Sequence, residues 1–208
     1  MDITTFHYSD HTPYPPVKVD GKNPQYAAAI LSNIGSCNSE MTAVSLYFYN
    51  SLVTREYYHD VAECFHRISI VEMRHLDIFG ELALKLGTDP RLWSYNKGRM
   101  YYWCPGCNQY PTQIHALLTN ALEGEIQAIR KYHAQSEWIE DGHIRSILNR
   151  IIADEELHVK IFRSLYPEEM KTAVPQTAAP PHAFAAHLAA GRPIYHRHTA
   201  PPDHGSGT

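Results

Sequence analysis

No run of about 18 apolar residues occurs in this sequence, so no membrane-spanning helix is expected. Neither sign of charge dominates. Eighteen lysines and arginines stand against 22 aspartates and glutamates, a formal net charge of -4, and no basic stripe suits nucleic acid. The opening residues, Met1-Asp2-Ile3-Thr4, show no basic segment leading into an apolar one, so no secretory leader is expected. Cysteine is scarce: four in 208 residues are too few and too scattered for a disulfide framework. These absences point to one compact cytoplasmic domain with no nucleic-acid or membrane partner. Histidine, by contrast, is abundant at 14 residues, and some of these need a role.

Along the chain, residues 1–22 carry Pro13, Pro15, Pro16 and Gly21 without helical periodicity and read as an extended arm. Asn23-Pro24 combines a capping amide with proline at a first helical position, which opens a helix over about 24–53 that Gly35 can bend. A second helix is predicted over about 57–86, stopped by Gly87. Residues 88–111 hold Pro90, Gly98, Pro105, Gly106 and Pro111 and read as a long connection. Two more helices, over about 112–140 and 143–165, flank a turn at Gly142. Helices of about 28 residues are roughly 42 Å long. A connection over 88–111 reaches roughly 80 Å at about 3.3 Å per residue, enough to return along them. Two hairpins joined by one long crossover is the all-α, ferritin-like four-helix bundle arrangement, here over 23–166. From about 167 to 208 alanine, proline and histidine dominate, and a solvated, disordered tail is expected.

Chemistry concentrates in a spaced pair, Glu-x-x-His. Residues three apart share a helical face, so each pair can offer a carboxylate and an imidazole to one point. Random placement would give about one such pair, so the helical face must decide which of those present matter. Glu72 and His75 lie on a face with Phe65, Ile68, Phe79, Ala83 and Leu86. Glu155 and His158 lie with Ile144, Leu148, Ile151, Val159 and Phe162. Glu63/His66 shares its face with Arg67, Arg74, Asp77 and Lys85 and belongs to solvent. Glu140/His143 straddles the Gly142 turn. On the other two helices, Glu125 sits among Leu118, Leu122, Ala128 and Ile129, and Glu40 sits with Cys37, Ala43 and Val44. A glutamate from each of two helices plus Glu-x-x-His from the other two is the ligand inventory of a two-metal carboxylate site.

The pattern repeats. Glu40-x-x-Ala43-x-x-x-Tyr47 recurs as Glu125-x-x-Ala128-x-x-x-Tyr132, offset by 85 residues, and the two Glu-x-x-His pairs are offset by 83. A pseudo-twofold site is therefore expected. Over about 24–166 this repeat resembles the rubrerythrin-type di-iron domain of the ferritin-like superfamily. The resemblance implies that Glu40, Glu72, His75, Glu125, Glu155 and His158 are metal ligands. It stops short of a full rubrerythrin. A rubredoxin module needs two Cys-x-x-Cys knuckles, and only Cys104-Pro105-Gly106-Cys107 is present. That pair is read as a structural feature of the crossover, with a redox dithiol as the alternative, and Cys37 as a small buried packing residue.

Four carboxylates neutralise two divalent ions inside an apolar bundle, and imidazoles complete the coordination without adding charge. Such ligands, lacking thiolate, suit two iron ions, or alternatively two manganese ions. Tyr47 and Tyr132 are placed to hydrogen-bond the ligand carboxylates. A core network of carboxylates and histidines without a cation is the competing reading, and four unpaired inward glutamates make it costly. The expected function is oxidoreduction of hydrogen peroxide or dioxygen, as in rubrerythrin-like peroxide reduction, with an external electron donor and a homo-oligomeric (dimeric) state. Alternatives are manganese catalase-like disproportionation, ferroxidase or iron-storage activity, and a non-enzymatic metal-binding interaction bundle.

Overall fold

Asn23 begins the helical part of the chain as its residues dictate. In the computed structural model, which describes residues 3–96 and 98–166, its side-chain oxygen accepts from the backbone N–H groups of Gln25 at 2.9 Å and Tyr26 at 3.1 Å. Pro24 fills the first position of α1 (Pro24–Gly35), where a missing N–H costs nothing. Four further helices follow: α2 (Glu40–Thr54), α3 (His59–Lys85), α4 (Ile114–Trp138) and α5 (Gly142–Ser164). α1 and α2 both pack on α3, α2 also meets α4, and α4 pairs with α5. The result is a four-helix bundle whose first helix is in two pieces. The tail expected over 167–208 lies outside the described residues.

The break in the first helix corrects the continuous helix expected over 24–53, in which Gly35 was only a bend. Ser36 leaves the helix in an extended conformation, and its hydroxyl donates to the carbonyls of Ser32 at 2.6 Å and Asn38 at 2.7 Å. Small polar side chains that bond nearby backbone compete with helix in this way. Lys131 on α4 donates from Nζ to the same two carbonyls, at 2.8 Å and 2.7 Å, so the interrupted backbone is satisfied. Gly35 has a further reason to be glycine. A Cβ there would lie 2.2 Å from the backbone nitrogen of Trp93.

That contact comes from a hairpin that the sequence reading passed over as irregular connection. β1 (Trp93–Asn96) pairs antiparallel with β2 (Arg99–Tyr102), Trp93 opposite Tyr102, and Gly98 has a positive φ of 73° at the turn. The earlier stop at Gly87 holds: its φ is 88°, and Thr88 N–H donates to the Ala83 carbonyl at 3.0 Å, which closes the end of α3. At the other hairpin, Asp141 caps α5 by accepting from His143 N–H at 2.9 Å and Ile144 N–H at 3.2 Å.

Cysteine usage also departs from the sequence reading. Cys37 and Cys107 form a disulfide across 70 residues, with Cα atoms 4.8 Å apart. Cys37 is thus an exposed, bonded residue in the break and no buried packing residue, because the break turns it outward toward the crossover. Two apolar clusters make up the core. One gathers Ile30, Ile34, Phe79, Leu82, Leu148 and Ile151, and the other Leu46, Phe65, Ile68, Leu122 and Phe162. Among the described residues no helix is long and apolar enough to cross a membrane.

Gly35→Ala forces Cβ into the Trp93 backbone, which has no side chain to swing aside. It is expected to lower stability by about 2 kcal/mol, roughly 6 °C in Tm, read by thermal unfolding. A change below about 1 °C would show that the hairpin yields freely.

Candidate metal centre

Between the two apolar clusters lies a polar layer that the helical pattern dictates. Glu72 and His75 share the inner face of α3, Glu155 and His158 that of α5, and Glu40 and Glu125 project from α2 and α4. The structure brings all six together, and none is more than 2 % exposed. Glu40 is the first residue of α2, where the positive end of the helix favours a carboxylate. The break that ends α1 therefore also seats this glutamate.

The distances show two overlapping groups. His75 Nδ1 lies 3.1 Å from Glu72 Oε2, 3.2 Å from Glu155 Oε1 and 3.9 Å from Glu40 Oε2. His158 Nδ1 lies 2.9 Å from Glu72 Oε1, 3.1 Å from Glu155 Oε2 and 3.8 Å from Glu125 Oε1. Glu72 and Glu155 thus reach both histidines, while Glu40 and Glu125 each belong to one. Two quartets, Glu40-Glu72-His75-Glu155 and Glu72-Glu125-Glu155-His158, each offer four ligand atoms within 4.8 Å of one another. The tyrosines cross over. Tyr47 donates to Glu125 Oε1 at 2.5 Å, and Tyr132 donates to Glu40 Oε1.

Protons and lone pairs test whether these residues fit a cation. His158 Nε2 faces the Tyr8 carbonyl oxygen at 2.9 Å, an acceptor only, so Nε2 carries the hydrogen. His75 Nε2 faces Asp154 Oδ2 at 3.0 Å and carries one for the same reason. In a neutral ring each Nδ1 then presents a lone pair to two carboxylates, an arrangement that needs a proton or a metal ion between them. Glu72 Oε1 and Glu155 Oε1 are buried without a hydrogen-bond partner even though an imidazole nitrogen lies close to each. Unmatched carboxylate oxygens beside imidazole lone pairs fit a cation.

The titration directions agree. Burial, with Glu72 and Glu155 nearby, pushes the Glu40 and Glu125 carboxyls well up. Burial opposes charging His75 and His158, but Glu155 raises the first and Glu72 the second, and both end well above the usual imidazole range. Burial also works against ionised Glu72, yet the two histidines hold its carboxyl below the usual range. The shifts of Glu40, Glu125, His75 and His158 thus all favour the protonated form where no cation balances the layer.

The other Glu-x-x-His pairs stay outside the layer. Glu63 pairs with Arg67 at 2.6 Å, and Glu140 and His143 are exposed. So are Glu56 and His59, a further pair of this spacing at the α2–α3 turn.

Sequence reasoning missed Asp154 and, though it read residues 1–22 as an extended arm, the contact of that arm with the site. Asp154 is fully buried and accepts from Tyr14 at 2.5 Å, Ser9 at 3.0 Å and the Asp10 N–H at 2.6 Å. It also faces Arg150 Nη1 at 2.7 Å. Burial alone would raise its carboxyl, but donors from His75, Tyr14 and Arg150 hold it below the usual range. Arg150 also donates to the carbonyls of Thr12 at 2.5 Å and Asp10 at 2.7 Å, and its guanidinium stacks 4.2 Å from the Tyr14 ring. Residues 8–14 are thereby strapped over α5, where the Tyr8 carbonyl fixes the outer nitrogen of His158 and Asp154, itself bonded to the arm, fixes that of His75. The i, i+4 spacing of Arg150 and Asp154 was a visible signal; the arm gave none. Asp154→Asn leaves Arg150 buried without its carboxylate, and a loss of about 3 kcal/mol is expected in urea unfolding. A loss under about 0.5 kcal/mol would mean that the arm is held by other contacts.

No curated protein matches the sequence. Among solved structures, the manganese catalase KatB from Anabaena is similar in fold, with TM-score 0.70 and 18% identity over 84% of this chain and 85% of that one. The bacterioferritin BfrA of Mycobacterium tuberculosis gives TM-score 0.58 and 20% identity over 73% and 89%. A bacterioferritin of Rhodobacter capsulatus, described with a metal-free dinuclear site and a heme iron, gives TM-score 0.58 and 23% identity over 76% and 99%. A family model described as rubrerythrin matches residues 34–166, more than half of the chain, and so the chain belongs to the rubrerythrin family within the ferritin-like superfamily.

Proposed function

We propose that this protein is a di-metal oxidoreductase acting on hydrogen peroxide or dioxygen. The observation that carries the reading is the pair of four-residue groups sharing Glu72 and Glu155. Glu40, Glu72, His75 and Glu155 would hold one ion, and Glu72, Glu125, Glu155 and His158 the other. Two iron or two manganese ions held there supply Lewis acidity and the two electrons that splitting an O–O bond requires.

The chain's own residues set the conditions for that chemistry. His75 and His158 keep their hydrogens on Nε2, anchored by Asp154 and the Tyr8 carbonyl, so that each Nδ1 lone pair points inward. Tyr132 bonds Glu40 Oε1 and Tyr47 bonds Glu125 Oε1, which fixes the orientation of each carboxylate. The flanking Phe65, Phe79 and Phe162, all fully buried, keep bulk water from the layer. An external electron donor and a homodimer belong to this reading.

One observation favours a second reading, peroxide disproportionation, which needs no donor. A four-thiolate iron site cannot be assembled from the four cysteines here, since Cys37 and Cys107 are bonded and Cys64 is buried.

Metal analysis of the purified chain is expected to find about two ions per chain. Glu72→Ala and Glu155→Ala each remove a shared ligand and should bring this near zero, while Glu63→Ala leaves it unchanged. Equal metal in all four proteins would contradict the assignment. Oxygen release from peroxide without a donor supports disproportionation, and consumption only with a reductant supports reduction. Binding must also expel the protons that His75, His158, Glu40 and Glu125 hold without metal. Affinity should therefore fall as pH falls, and equilibrium dialysis from about pH 7.5 to about 5.5 should show at least a tenfold loss. A pH-independent affinity would place the ions elsewhere.

A further inference from the structure

Three of the four cysteines meet at the surface, outside the polar layer. Cys37, in the break between α1 and α2, is bonded to Cys107. Cys104 is free and exposed. Cys104 and Cys107 bracket one tight turn, closed by Cys107 N–H donating to the Cys104 carbonyl at 2.9 Å and Asn108 N–H to that of Pro105 at 3.1 Å. A Cβ on the intervening Gly106 would lie 3.5 Å from Cys104 Sγ, so the free sulfur is folded over the turn that carries the disulfide.

The turn is also held without the disulfide. On one side Trp103 Nε1 donates to Thr42 Oγ1 at 3.0 Å. On the other Asn108 Nδ2 donates to Ser45 Oγ at 2.9 Å. The Cys37 segment keeps its own anchor in the bonds from Lys131 to Ser32 and Asn38. Both backbones thus stay in place when the sulfurs change partners, and Cys37 is exposed and Cys107 half-buried.

We propose that Cys37, Cys104 and Cys107 form a thiol–disulfide exchange site that accepts electrons from a small-molecule thiol. The Cys104 thiolate attacks Cys107 Sγ. A Cys104–Cys107 bond forms as the Cys37–Cys107 bond breaks, and Cys37 leaves as a thiolate that takes up the proton Cys104 released. No electrons are gained or lost in this step. A small thiolate then attacks the exposed Cys104 sulfur, forming a mixed disulfide there and releasing Cys107 as thiolate. A second molecule of the thiol displaces Cys104 and leaves as the thiol's own disulfide. Two electrons have then passed from two thiols to the protein. Cys37 precedes Glu40 by three residues, so the exchange unties the crossover from the segment that seats this glutamate. The exchange itself does not depend on any metal at Glu40.

Reduced glutathione applied to the full chain, quenched with iodoacetamide and mapped by peptide mass spectrometry, tests this. The wild type is expected to show alkylated Cys37 together with a Cys104–Cys107 bridge and a glutathione adduct on Cys104. Cys104→Ser is expected to free Cys37 at least tenfold more slowly, and oxidised Cys37→Ser to carry the Cys104–Cys107 bridge. Release of Cys37 at the same rate with and without Cys104, with no Cys104–Cys107 bridge in wild type or Cys37→Ser, would overturn the proposal.

Discussion

Two imidazole nitrogens aimed at the same pair of buried carboxylates govern this structure. Each ring has its outer nitrogen committed to an acceptor, Asp154 for His75 and the Tyr8 carbonyl for His158. The inner nitrogens are left facing Glu72 and Glu155 at 2.9–3.2 Å. Lone pair against carboxylate is repulsive, and burial in an apolar bundle removes the solvent that would screen it. Only positive charge between them makes the arrangement favourable, whether it comes as protons or as metal ions.

The rest of the fold keeps that charged layer in place. Two apolar clusters close it above and below, each drawing on helices from both hairpins. The interruption of the first helix costs hydrogen bonds that Ser36 and Lys131 restore, and in return Glu40 stands at a helix start. Arg150 and Asp154 tie the arm across α5 and so reach the histidines from outside. The irregular segments therefore support the site as much as the helices do.

What was legible in the sequence follows from this division. Glu72, His75, Glu155 and His158 could be read because a helical face of otherwise apolar residues singles them out. Glu125 could be read in the same way, and Glu40, on a more mixed face, gained support from the repeat around Tyr47 and Tyr132. Gly87 and Asn23 marked helix ends by local chemistry alone. The features that went unread depend on chain segments far apart. Ser9 meets Asp154 across 145 residues and Cys37 meets Cys107 across 70, and no periodicity encodes such pairings. The hairpin was a different failure. Its aromatic strands and Gly98 were in view, but prolines on both sides favoured an irregular reading.

Anomalous diffraction from crystals grown with manganese or iron tests the central claim most directly. Two peaks are predicted, both between the Glu72 and Glu155 carboxylates, one beside His75 Nδ1 and the other beside His158 Nδ1. No peak in the layer, or peaks only at surface histidines, would mean that protons alone balance these carboxylates and would contradict the account.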